Sequence, residues 1–157
     1  MKLIPIPNYN EYRLNLMFDA YKWDPQFLDN NTIAKYALVI SKEEDEELKE
    51  LTEKLDEETR KSEEVINNNL NLAKMLKLPR KIKQEIKLMK NYNPNTHIRL
   101  MRYDFHPTYE QKWTVSEVNS DVPGGFAEAS IMPQIAIDAL KKNKYYYKNF
   151  GDILTNA

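Results

Sequence analysis

The sequence predicts an α+β protein: a helical N-terminal region with one long helix, then a small antiparallel sheet and a C-terminal helix. Three observations carry this. Apolar residues recur near 3.5-residue spacing across 48–76, which is helical spacing. Two alternating runs, 96–105 and 113–119, bracket a polar turn, the pattern of paired strands. Pro123-Gly124-Gly125 then opens an apolar, alanine-rich stretch over 126–142, as a turn feeding a helix would.

Taken in order, residues 1–12 read as irregular, with Pro5, Pro7 and the polar run Asn8-Tyr9-Asn10. A short helix is expected over 13–21, where Leu14, Met17, Phe18 and Tyr21 fall at helical spacing. Pro25 disfavours helix at Asp24, and Trp23 and Phe27 are expected to pack that loop onto the body. Asp29-Asn30-Asn31-Thr32 reads as a turn and N-cap cluster. Residues 33–40 fit a helix or a strand, because periodicity does not resolve the apolar run 36–40. Ser41 and Glu44 make a capping box. They introduce one long helix over about 42–76, or two with a break near 67, where Asn67-Asn68-Asn69 weakens helix propensity. Its acidic start suits the positive end of the helix dipole, and its charges read as a solvated face. Pro79 sits at the start of a further helix over 80–90, with Ile82, Ile86 and Met89 on one face. Residues 91–95 form a turn and 106–111 a loop. Pro133 either kinks the last helix or marks its true start. Tyr145-Tyr146-Tyr147 reads as packing. Residues 1–157 are read as one domain, mostly helical over 1–95, with a hairpin and helix over 96–157.

At 157 residues with 41% hydrophobic content the chain is long enough for a core. Cysteine is absent, which excludes disulfides, thiolate metal sites and cysteine nucleophiles. The formal net charge of -1 advertises no nucleic-acid or membrane partner. The apolar start is too short for a signal peptide, so a soluble cytoplasmic protein is expected. With three glycines in all, no glycine-rich phosphate loop is available.

The chemistry concentrates in 102–130. Side chains two apart on a strand share a face, so Arg102 and Asp104 point the same way, as do Glu117 and Asn119. If the strands pair, these four converge. Asp104, Glu117 and Asn119 are the oxygen donors a hard divalent cation prefers. Arg102 beside them suits a transferring phosphate. Taken singly, each reads as a surface or turn residue. A tight turn near Thr108 would put Asp104 opposite Trp113 and leave Glu117 roughly 13 Å along the strand. A shared ion needs a longer loop or a shifted register, closer to Asp104 opposite Glu117. His97 and His106 read as packing or turn residues.

The motif Arg102-x-Asp104-Phe105, then Glu117-x-Asn119, Pro123-Gly124 and Ser130, resembles the metal-binding segment of the ATP-grasp ligases. The wording Glu117-Val118-Asn119-Ser120-Asp121-Val122-Pro123-Gly124-Gly125 and Glu128-Ala129-Ser130 is most similar to the glutathionylspermidine synthase-like, circularly permuted branch. The resemblance implies that Asp104, Glu117 and Asn119 hold Mg²⁺ on ATP and that Arg102 contacts the transferred phosphate. It implies a reaction in which ATP phosphorylates a carboxylate and an amine then displaces phosphate. Ser120, Asp121 and Glu128 become candidate substrate-binding residues. The family's nucleotide-gripping half, with its glycine-containing loop, has no counterpart here. The chain therefore reads as the N-terminal portion of such an enzyme, inactive alone and completed by a missing C-terminal half or a second chain. The alternative is a non-catalytic remnant whose long helix binds a partner or itself, as a homodimer would.

Overall fold

The computed structural model describes residues 1–89, 92–110, 112–141 and 145–155. In chain order the elements are β1 (Lys2–Pro5), α1 (Tyr9–Phe18), β2 (Gln26–Phe27), β3 (Asn30–Asn31) and β4 (Tyr36–Val39). Then come α2 (Lys42–Asn68), α3 (Leu70–Met75), α4 (Arg80–Leu88), β5 (Arg102–Pro107), β6 (Trp113–Asn119), α5 (Phe126–Leu140) and α6 (Phe150–Thr155). The α+β class is as expected. Internal contacts divide the chain into two units, 1–42 with 122–157, and 43–121.

The first unit holds the larger core: Ile4, Ile6, Tyr12, Leu16, Ile33 and Leu140. Residues 1–12 are not irregular. Ile4 and Ile6 alternate into the core while β1 pairs antiparallel with β4, Lys2 opposite Val39 and Pro5 opposite Tyr36. Burial on alternate residues decides strand over helix for the 36–40 run as well. Helix α1 begins and ends earlier than spacing predicted, because its buried pair is Tyr12 and Leu16. The expected stripe of Leu14, Phe18 and Tyr21 is exposed instead. Trp23 and Phe27, expected to pack, are 83% and 69% exposed. Helix α5 runs through Pro133 from a left-handed Gly125 at φ 91°, a backbone state glycine adopts without Cβ strain. Pro133 is thus not the helix start. Four short strands precede α2, and helix still makes up the greater part of the described residues in 1–95.

In the second unit, α2 is laced by ion pairs such as Lys49–Asp45 at 2.9 Å and Lys61–Glu58 at 3.0 Å. Thr59 and Ser62, which interrupt its apolar stripe, donate to carbonyls four residues back at 2.8 Å. The long helix is broken: Asn69 takes the N-cap of α3, accepting from the Asn71 N–H at 3.1 Å. The chain between α4 and β5 is fastened to α2. Arg99 donates to Glu63 at 2.6 Å, Tyr92 donates to the same carboxylate at 2.5 Å, and His97 Nδ1 lies 2.8 Å from the Tyr92 hydroxyl. Burial, and the bond to Glu63, push the Tyr92 hydroxyl above its ordinary pKa. This anchoring leaves residues 96–101 as a loop, so the strand expected from 96 begins at Arg102.

Candidate functional site

The hairpin of β5 and β6 carries the four side chains singled out by sequence. Its loop closes with Thr108 N–H donating to Lys112 at 2.8 Å, and Pro107 stands opposite Trp113. Continued regularly, that register would put Asp104 opposite Ser116 and Arg102 opposite Val118. Glu117 and Asn119 would then face the other side. The ladder instead shifts between Asp104 and Phe105, and Ser116 is the extra residue. Beyond this bulge Asp104 lies opposite Glu117, and Arg102 opposite Asn119. One inserted residue reverses the parity of a strand, so Arg102, Asp104, Glu117 and Asn119 share a face. The Ser116 hydroxyl pins the bulge by donating to the Asp104 carbonyl at 2.9 Å.

The other face collects Tyr103, Phe105, Trp113, Val115 and Val118. In sequence those β6 residues are spaced two and then three apart. That break in alternation is the sign of the bulge, and the strict-alternation reading of 113–119 passed over it.

Electrostatics tie the polar face together. Arg102 grips Asp104 with two parallel bonds, Nε to Oδ1 at 2.7 Å and Nη2 to Oδ2 at 2.9 Å. That guanidinium holds the Asp104 carboxyl below the ordinary carboxylate range. Asp104, and to a lesser degree Glu117, raise Arg102 in turn. Glu117 is exposed. The Asn119 side-chain nitrogen is buried without a hydrogen-bond partner among the described residues. Opposed residues bring their Cβ atoms to about 5 Å, so two carboxylates and one amide stand together. Among the described residues no three of His, Asp or Glu form a metal-holding group. A Mg²⁺ site needs only one or two carboxylates, because water and phosphate fill the rest. The donor set suits Mg²⁺ in kind, on condition that Arg102 releases Asp104.

No protein family, curated protein or solved structure matches this chain. The site therefore rests on its own geometry. No described helix is long and apolar enough to cross a membrane.

Of the remaining predicted residues, Ser120 and Asp121 follow β6 and are exposed. Glu128 belongs to the first unit, in the first turn of α5, where Lys22 donates to it at 3.1 Å. Its own backbone N–H, and then the Lys22 ammonium, hold the Glu128 carboxyl below its usual value. Burial lowers the Lys22 ammonium, but hydrogen bonds to Asp24 and Glu128 outweigh it and leave its pKa raised. Sequence reading missed Lys22, and nothing in its spacing from Glu128 signals the pairing. Ser130 also has a structural role: its hydroxyl donates to the Phe126 carbonyl at 2.7 Å and accepts from Gly151 N–H at 2.9 Å.

Proposed function

We propose that the bulged hairpin is the metal- and phosphate-holding portion of an ATP-dependent carboxylate–amine ligase of the ATP-grasp, glutathionylspermidine synthase-like kind, inactive by itself. The observation that carries this reading is the pairing of Arg102 with Asn119 and Asp104 with Glu117. It gathers the motif residues on one face through a bulge that a plain hairpin lacks. Asp104, Glu117 and Asn119 would hold Mg²⁺, which when bound neutralises charge on the phosphates of ATP. Arg102 grips Asp104 through two parallel hydrogen bonds. Were the carboxylate to turn to a cation, the same paired donors of the guanidinium would suit the transferring phosphoryl group. Ser120, Asp121 and Glu128 remain candidates for the acyl acceptor side. The nucleotide-gripping half is supplied by a further segment or a second chain.

Calorimetric titration with MgCl₂ and ATP tests this. Weak, Mg²⁺-dependent binding is expected for the wild type and none for Asp104→Ala. Equal heats from both proteins would remove the reading. The alternative, a helical interaction module, asks for an exposed apolar stripe on α2. Leu48, Leu51 and Leu55 are half-buried and Val65 is 54% exposed; a sedimentation run showing a dimer would favour that alternative.

A further inference from the structure

The overall charge of -1 conceals a strong segregation within the second unit. Helix α2 carries twelve acidic and five basic residues; its internal ion pairs join residues three or four apart, and Arg99 reaches Asp56 and Glu63 from outside it. The next segment is the reverse. Lys74, Lys77, Arg80, Lys81, Lys83 and Lys87 fall within fourteen residues, with Glu85 as the one acid among them. Five of these cations are exposed and Lys83 is half-buried. None of the six forms an ion pair with a described residue.

Apolar side chains stand exposed among them. Met75 is 75% exposed, Leu76 56%, Ile82 47% and Leu88 71%. On α4, Ile82 and Ile86 fall on one stripe at helical spacing, with Met89 at the C-cap beyond them, and Arg80, Lys83 and Lys87 lie on the side away from it. The left-handed Lys77 (φ 53°) and Pro79 divide the segment into two short helices that pack together. An apolar-floored protein groove reads one continuous helix through anchors at i, i+3 or i+4, and i+7. Two short, abutting helices instead present exposed apolar tips with cations beside and behind them, the arrangement of a helix lying in a lipid interface. Isoleucine, leucine and methionine tips have no counterpart on a phosphodiester backbone.

We infer that α3 and α4 form a docking surface for an anionic lipid surface, lying on it rather than crossing it. The six cations, which form no ion pair among the described residues, complement the headgroup charge, and the exposed apolar tips enter the headgroup boundary. The expectation of no membrane partner came from the net charge, which averages this patch against α2. The inference does not rest on the ligase reading, since the hairpin face takes no part in it.

Vesicle co-sedimentation at physiological salt tests the inference, using phosphatidylcholine alone and an equimolar mixture with phosphatidylserine. The wild-type chain is expected to sediment with the mixed vesicles and not with the neutral ones. The triple variant Lys81→Gln, Lys83→Gln, Lys87→Gln is expected to bind on the order of a hundredfold more weakly, given the attraction of each surface lysine. Unchanged helical circular dichroism shows that the variant is folded. The companion variant Lys81→Arg, Lys83→Arg, Lys87→Arg is expected to bind like wild type. Wild-type failure to bind mixed vesicles, or equal binding to neutral ones, overturns the inference. So does a wild-type dimer that the glutamine variant dissociates, which would assign the surface to a protein contact.

Discussion

The two strands of the hairpin contribute equally to one face, yet only β5 keeps strict alternation. In β5, Arg102 and Asp104 face one way and Tyr103 and Phe105 the other. In β6, Trp113 and Val115 keep that order up to Ser116, after which every side chain changes side. The apolar face gains Val118 and the polar face gains Glu117 and Asn119. A candidate site can thus hang on a residue that contributes no ligand. What Ser116 supplies is an extra length of backbone, held by its bond to the Asp104 carbonyl.

The sharpest way to break this comparison is to turn one ligand over. Exchanging two neighbours, Glu117→Val with Val118→Glu, sends that carboxylate to the apolar side, and Mg²⁺-dependent ATP binding is expected to disappear, read by the same calorimetry as for Asp104→Ala. Deleting Ser116 instead restores regular alternation and leaves Glu117 opposite Asp104 and Asn119 opposite Arg102, so binding is expected to survive it. Ser116→Ala is the control. It keeps the residue count and the face, and loses one hydrogen bond worth about 0.5–1.5 kcal/mol. If the exchange variant binds like wild type, the shared face is not the site.

A second test acts on the entrance to β5. Arg99 is 12% exposed at its side chain and binds Glu63 on α2. Arg99→Met removes the cation and leaves the Glu63 carboxylate with Tyr92 as its hydroxyl donor. A loss of about 1–3 kcal/mol is expected, measured by urea unfolding. A loss within error would mean that the loop is not held by this pair, and that β5 owes its start at Arg102 to something else.

Legibility in the sequence followed the range of the forces involved. The hairpin, the break in the long helix and the C-terminal helix all have local causes: alternation, an asparagine run, and a Gly-Gly turn. These were readable. The first unit was not, because its strands are four residues or fewer and gain their order from burial against distant residues. Ile4 and Ile6 become buried only through partners such as Ile33 and Leu140. The α1 stripe was misread for the same reason, since Leu14 and Phe18 are as apolar as Leu16 and only the tertiary fold chooses among them. Within the candidate site the residue types were visible. Their shared face was expected to need a register near Asp104 opposite Glu117, which the hairpin has; the device that shifts it, signalled by the Val115-to-Val118 spacing, was not read.

The gentlest test concerns Arg102, which is at once the phosphate ligand of the proposed reaction and the competitor for Asp104. Because its guanidinium lowers the Asp104 pKa, the contact is present above the ordinary aspartate value of about 4. It is lost as pH falls through the depressed folded value. Carbon-detected NMR titration of the wild type is expected to place the Asp104 midpoint below that ordinary value. In Arg102→Gln the midpoint should move up toward it. A midpoint indifferent to the substitution would mean the paired hydrogen bonds are not populated in solution. The same variant separates the two roles of Arg102. With the competitor gone, Mg²⁺ alone should bind at least as well as to wild type, while any phosphate contribution to ATP binding is lost. A variant that loses Mg²⁺ instead would show that Arg102 orders the carboxylate for the ion rather than opposing it.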